Sequence, residues 1–139
     1  MAKRTQEKIL TKEQAFAEAK RYLANAKETI AKSPIDPYGK IYEDSKYVRE
    51  GAGMAYLAAL KAIDGWLIGK GTPNEKLPDS IDEYWAVRKK IPHNGKFTTD
   101  LTLAYQNLHL GAYYRGFVDI NFVKNGLRAV KEIISMLEK

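Results

Sequence analysis

Val48-Arg49-Glu50-Gly51-Ala52-Gly53-Met54-Ala55-Tyr56-Leu57-Ala58-Ala59-Leu60-Lys61-Ala62-Ile63-Asp64-Gly65-Trp66-Leu67-Ile68 is the stretch whose reading decides the fold. Val48, Ala52, Ala55, Ala59, Ala62 and Trp66 recur at alternating steps of four and three, the period of an α-helix. Tyr56, Leu60, Ile63 and Leu67 widen that stripe into a broad apolar arc, which suits the central helix of a bundle. The small residues let a neighbouring helix approach closely, although Gly51 and Gly53 each cost about 1 kcal/mol of helix propensity. The helix is expected from about Asp44 to Ile68, with Gly69 as its stop and Gly71 and Pro73 beyond.

Upstream, Thr11 and Gln14 match a capping box, and Phe16, Ala19, Leu23, Ala26 and Ile30 continue as an amphipathic helix. Ser33-Pro34-Ile35-Asp36-Pro37 ends it, because proline cannot continue the hydrogen-bond ladder. Downstream, Ser80 and Glu83 form a second capping box, opening a short helix through Tyr84, Trp85 and Val87 that stops before Pro92. The loop His93-Asn94-Gly95-Lys96 follows, and Thr98 or Thr99 reads as the N-cap of a fourth helix from about Asp100 to Gly116. That helix has two apolar faces. Leu101, Ala104, Leu108 and Ala112 form the core side; Leu103, Leu110, Tyr114 and Phe117 form a second side suited to a partner. Asp119 caps the last helix, where Val123, Leu127, Val130, Ile134 and Leu137 make a heptad-like seam. All the strong signals are helical, so the expected fold is all-α, an antiparallel bundle of four to five helices in one domain over residues 11–139, preceded by a flexible basic tail over 1–10.

The 139 residues fit one domain large enough to bury a real core. The absence of cysteine excludes disulfides and thiolate metal sites, and fits a reducing cytoplasm. No apolar run has the ~20 residues of a membrane span, and no signal-peptide pattern follows the basic start. The chain carries 23 Lys and Arg against 17 Asp and Glu, a net charge of +6, which favours acidic or nucleic-acid partners without fixing a fold. The nine tyrosines suit rims, interfaces and pockets, since each ring packs while its hydroxyl needs a partner.

One polar row stands out. Tyr105, His109 and Tyr113 are four residues apart, so a helix places them on one strip, with Arg115 just beyond. They form either a ligand-groove wall that stacks on a base or the wet rim of a packed core. Arg115 suits the helix end, where a cation meets the macrodipole. Gly69-Lys70-Gly71-Thr72 is no phosphate loop, because the upstream glycine and the preceding strand are missing. No His-x-x-x-His or Glu-x-x-His pair suggests a metal, and no cofactor motif is present.

The layout from about Ala15 to Leu137 resembles the HEPN superfamily of small helical bundles. Tyr22-Leu23-Ala24-Asn25-Ala26 is similar to its opening helix, and Ala55-Tyr56-Leu57-Ala58-Ala59-Leu60-Lys61-Ala62 to its Ala-rich second helix. Tyr113-Tyr114-Arg115 with the terminal helix is similar to its closing pair. Leu108-His109-Leu110 and Tyr113-Tyr114-Arg115-Gly116 also resemble a small family of uncharacterised bacterial helical proteins. The HEPN resemblance implies one of three roles. The first is a non-enzymatic binding or assembly module, a homodimer with a nucleotide or RNA ligand near the Tyr105 row. The second is a metal-independent ribonuclease, for which Arg88-Lys89-Lys90-Ile91-Pro92-His93 supplies the arginine and histidine. The third is a helical partner or substrate-binding subunit of a nucleotidyltransferase. Pro92 breaks the helix inside the Arg88–His93 spacing, and a basic helix end followed by a polar loop explains both residues without catalysis. The binding module is therefore the leading expectation.

Overall fold

The computed structural model describes residues 10–139, so the tail expected over 1–10 lies, except for Leu10, outside the described residues. Five α-helices surround one core: α1 (Lys12–Ile30), α2 (Ser45–Gly69), α3 (Ile81–Ala86), α4 (Gly95–Ala104) and α5 (Ile120–Glu138). Short 3-10 turns cover Asn74–Lys76 and Val87–Lys90, and a π-helical segment, Tyr105–Tyr114, prolongs α4. Among the described residues there is no strand, only two isolated bridges, Ile35 with Tyr42 and Ile41 with Asp119.

The local sequence rules account for most boundaries. Thr11 accepts a bond from the Gln14 amide while the Gln14 side chain accepts from the Thr11 amide, the reciprocal pair anticipated for α1. Asp44 accepts from the Lys46 amide and starts α2. Ser80 accepts from the Glu83 amide and starts α3. At the end of α2 the helix runs through Gly69, and it is Gly71, at φ +99°, that takes the left-handed position.

The start of α4 corrects the sequence reading. The helix begins at Gly95 behind Asn94, one turn before Thr98 and Thr99. The threonine hydroxyls bond backward inside the helix, Thr99 Oγ1 to the Gly95 carbonyl at 3.0 Å and Thr102 Oγ1 to that of Thr98 at 2.8 Å. Hydroxyls that can bond four residues back fit a helix interior as well as a cap.

Helix pairing follows from glycines on α2. Gly65 lies against Phe16, and Gly51 against Ala26 and Ile30, so the start of α1 meets the end of α2 and the reverse. On its other flank α2 packs on the π segment, Gly53 against Tyr113 and Tyr56 against His109. The π segment packs in turn on α5, where Gly126 receives Leu108 and the buried Asn107 amide donates to the Phe122 carbonyl at 2.8 Å. Phe16, Ile63, Phe97, Leu108, Ile133 and Val130 fill the centre.

Candidate functional site

Tyr105–Tyr114 is helical with i→i+5 bonding, a geometry that is rare and is frequently met at functional sites. It closes with a bond from the Arg115 amide to the Leu110 carbonyl and one from the Phe117 amide to that of Gly111, each 3.0 Å. Gly116, at φ +74°, makes the turn out. The guanidinium that meets the exposed carbonyls at this end is that of Arg49, from α2, at 3.2 Å from the Tyr113 oxygen and 3.3 Å from that of Tyr114. Arg49 also packs directly on Gly116. Arg115, expected at this place, is exposed to solvent.

The wider turn keeps the polar row in register. The Tyr105 and His109 rings stack at 5.4 Å and 22°, and the His109 and Tyr113 rings at 5.9 Å and 19°. Tyr56 of α2 joins them, 5.0 Å from His109 and 6.0 Å from Tyr105. Four rings thus form a ladder across the joint between α2 and the π segment. Tyr113, 47 % exposed, is its open end. Burial, with Tyr105 adding to it, pushes the Tyr56 phenol up to about 12, so it stays neutral across the physiological range.

At the Tyr105 end the ladder borders a groove of about 240 Å³, lined by Tyr56, Ile81, Asp82, Tyr84, Trp85, Leu101, Thr102, Tyr105 and Gln106. Aromatic walls with a few polar groups at the edge are the usual make-up of a small-ligand site. Tyr84 also lines a second, larger cavity of about 540 Å³. There the Tyr84 hydroxyl donates to Asp64 Oδ1 at 2.9 Å, and Lys61 Nζ stands 3.8 Å from Oδ2. Burial holds the Asp64 carboxyl above the usual carboxylate range, opposed by the Tyr84 bond and by Lys61. Burial and the neighbouring Asp64 likewise raise the Tyr84 phenol.

Apolar spacing along α2 does not single out Asp64, and it places Tyr84 only within the short helix opened by Ser80. The signal was present: a carboxylate between Ile63 and Gly65, inside an otherwise apolar arc.

Arg88 and His93 are differently placed. The Arg88 guanidinium lies over the Trp85 ring, 4.9 Å from its centroid, and its carbonyl accepts from the Asn94 amide at 2.6 Å. His93 is exposed on the loop, at φ +52°. On the side expected to face a partner, Leu103 packs partly against the core and Leu110 is half-buried. Tyr114 is 68 % exposed, and Phe117 meets Phe122 of α5 edge-on at 5.6 Å. The segment 34–43 runs beside this end, the Tyr42 amide donating to the Val118 carbonyl and the Ile120 amide to that of Lys40, each at 2.9 Å. Among the described residues no cluster of three or more His, Cys, Asp or Glu could hold a metal ion, and no helix is long and apolar enough to cross a membrane.

The raised phenols give a pH dependence. Between the free-tyrosine value and the folded values the native chain holds protons that the unfolded chain has released, so stability falls as pH rises through that window. Absorbance titration should therefore find Tyr56 and Tyr84 still unionised at about pH 11 while the chain remains helical, and Tyr56→Phe should shrink the lag. Complete phenolate formation at that pH with helicity intact would contradict the burial of these rings.

A helical bundle with an aromatic groove is thus the class that fold and site define. The chain belongs to the family described as domain of unknown function DUF5618, whose model matches residues 14–139. It is similar to a solved structure of a protein of unknown function from Dyadobacter fermentans, at 31 % identity and a TM-score of 0.75, over 93 % of this chain and 97 % of that one. No curated protein matches it.

Proposed function

We propose that the protein is a non-enzymatic binding module, a HEPN-like antiparallel bundle whose groove takes a flat aromatic ring of nucleobase type. The observation that carries this is the four-ring ladder of Tyr56, Tyr105, His109 and Tyr113 ending in the groove lined by Tyr56, Trp85 and Tyr105. Stacking on such rings contributes about 1–3 kcal/mol per base and tolerates any base, because each has a π face. Gln106, at the groove edge, offers an amide that can both donate to and accept from a ring edge. A groove of this size suits one ring system and not a drug-sized molecule. The opposed directions of α1 with α2, and of the π segment with its two neighbours, support the antiparallel reading. Self-association through Tyr114 and Phe117 belongs to the same proposal, since both present large apolar surface next to the ladder's open end.

The ribonuclease alternative draws less support. A catalytic imidazole needs a neighbour that fixes its geometry, whereas His93 is exposed and Arg88 is engaged with Trp85. Calorimetric titration with adenosine is the test. Wild-type protein should bind it saturably, and Tyr105→Ala should weaken binding by about 1–3 kcal/mol while retaining helicity. Absence of binding, or binding indifferent to Tyr105→Ala, would refute the groove. RNA cleavage lost in His93→Ala would make the enzyme reading primary.

A further inference from the structure

A third groove, of about 560 Å³, lies at the end of α1 away from Leu10, between the last turn of α1, the connector to α2 and α5. Its volume is within the range of small-molecule sites, and it shares no lining residue with the aromatic groove. Ile30, Ala31, Ile35 and Leu127 give it an apolar floor. The charged groups around that floor are Lys27, Lys124, Arg128 and Lys131, and no carboxylate lines it.

Two features of this groove are costly in the chain alone. The first is the placing of its cations. Lys124, Arg128 and Lys131 follow one another at steps of four and three, so they share one face of α5 and repel. Lys27, in the last turn of α1, answers the negative end of its own helix. The three on α5 have no such counterpart. None of them forms an ion pair among the described residues, and Arg128 reaches only the Asn125 side-chain oxygen, at 3.5 Å. Glu132, the next residue along, pairs instead with Lys96 at 3.5 Å.

The second feature is Tyr42, which is only 6 % exposed and lines the groove. Its amide donates to the Val118 carbonyl, but its hydroxyl has no partner among the described residues. Among those residues no side-chain oxygen or nitrogen is both unpaired and sealed from solvent, so this hydroxyl opens on the groove. Burial raises the phenol, which keeps it a protonated donor. A buried donor left unpaired costs stability, and a ligand oxygen would remove that cost. Ser33, the other hydroxyl in the lining, is already satisfied, donating to the Pro34 carbonyl and accepting from the Asp44 amide.

A free donor and a ring of cations both act on the oxygens of an anion. The apolar floor, with Ile35 52 % exposed, calls for hydrocarbon beside that anion. A nucleic-acid backbone would meet the cations but leave the floor uncovered. We infer that this groove is a binding site for an amphiphilic carboxylate, a single anionic head on a hydrocarbon body. The head takes the Tyr42 hydroxyl and the α5 cations, and the body covers Ile30, Ile35 and Leu127. This inference goes beyond the nucleobase groove and does not depend on it.

The probes are octanoate and decanoate, kept at concentrations where they are monomeric and titrated calorimetrically into the full chain. Acetate, a head without a body, and 1-octanol, a body without a charge, are the controls. Saturable binding of both fatty carboxylates is expected, with decanoate about tenfold tighter for its two further buried methylenes. Acetate and 1-octanol should bind far more weakly. Arg128→Gln combined with Lys131→Gln should weaken decanoate by about tenfold or more, while Lys46→Gln, a lysine outside the groove, should leave it unchanged. Tyr42→Phe removes only the hydroxyl. It should weaken decanoate several-fold without lowering the melting temperature, because the hydroxyl has no partner in the fold to lose. A tyrosine held only for packing would give no such loss of binding. Absence of saturable decanoate binding, acetate bound as tightly, or Tyr42→Phe binding as wild type would each overturn the inference. So would a short oligouridylate that binds here more tightly than decanoate, which would mark the cations as a polyanion surface. Tyr105→Ala should bind decanoate as wild type does, which separates failure of this site from failure of the aromatic groove.

Discussion

Phe16→Ala should lower the free energy of unfolding by about 3–5 kcal/mol, the range for truncating a buried aromatic ring. The ring is 2 % exposed and lies in the layer between α1 and α2, directly on Gly65. Gly65 exists in that layer because Phe16 needs the space: a Cβ there would sit 2.9 Å from Cε2 and 3.0 Å from Cδ2 of the ring. Alanine at 16 therefore leaves a void bounded by two helix backbones, which cannot collapse without changing their separation. A domain of this kind is stabilised by about 5–15 kcal/mol in total, so the variant stands near the folding threshold. Denaturant unfolding followed by circular dichroism measures the difference. A loss below about 1 kcal/mol would mean that the α1–α2 interface is not packed as described.

The second large effect is expected where the same two helices cross at their other ends. A Cβ at Gly51 would lie 2.8 Å from the Ala26 carbonyl oxygen and 2.9 Å from Ile30 Cδ1, besides pressing on Ile30 Cγ1. The Ile30 side chain can turn away, but the Ala26 carbonyl belongs to a helix backbone and cannot. Gly51→Val should therefore cost about 1–3 kcal/mol or more through overpacking, even though any residue but proline improves on glycine in helix propensity. Gly95→Ala is the matched control. Its Cβ would meet nothing within 4 Å, and it should be neutral or mildly stabilising. If Gly51→Val is as harmless as Gly95→Ala, the close approach of α1 and α2 is wrong.

These two positions also show why the bundle was legible in the sequence. The apolar spacing of α1, α2 and α5 has only one helical solution, and the small residues on α2 announce a close neighbour. Phe16, Leu23, Ala26 and Ile30, and Val123, Leu127, Val130, Ile134 and Leu137, are buried as their spacing requires. Local polar rules were sufficient wherever partner and cap are three residues apart, as for Thr11 with Gln14 and Ser80 with Glu83. They misplaced α4 because threonine serves equally as a cap and as a helix-interior residue that bonds backward, and nothing local separates the two at Thr98 and Thr99.

The candidate sites were legible only in part, for a similar reason. A spacing of four aligns Tyr105, His109 and Tyr113 in an α-helix and in the wider π form alike, so the sequence showed the row but not the π segment. Nothing in it linked Tyr56 to that row, since their meeting depends on how α2 packs on a segment some fifty residues away. The pair of Tyr84 with Asp64 is hidden in the same way, twenty residues apart and on different helices. Arg49 replaces Arg115 at the end of the π segment because the turn at Gly116 opens toward α2, a consequence of tertiary placement and not of chain order.

The central claim is that the aromatic groove receives a flat ring at the Tyr105 end of the ladder. Amide chemical-shift mapping during an adenosine titration of the isotope-labelled full chain tests it most directly. The account predicts progressive, saturable shifts confined to Tyr84–Trp85, Leu101–Gln106 and the part of α2 around Tyr56, all lost in Tyr105→Ala. Shifts centred instead on Arg88–His93, or no saturable shifts at all, would contradict it.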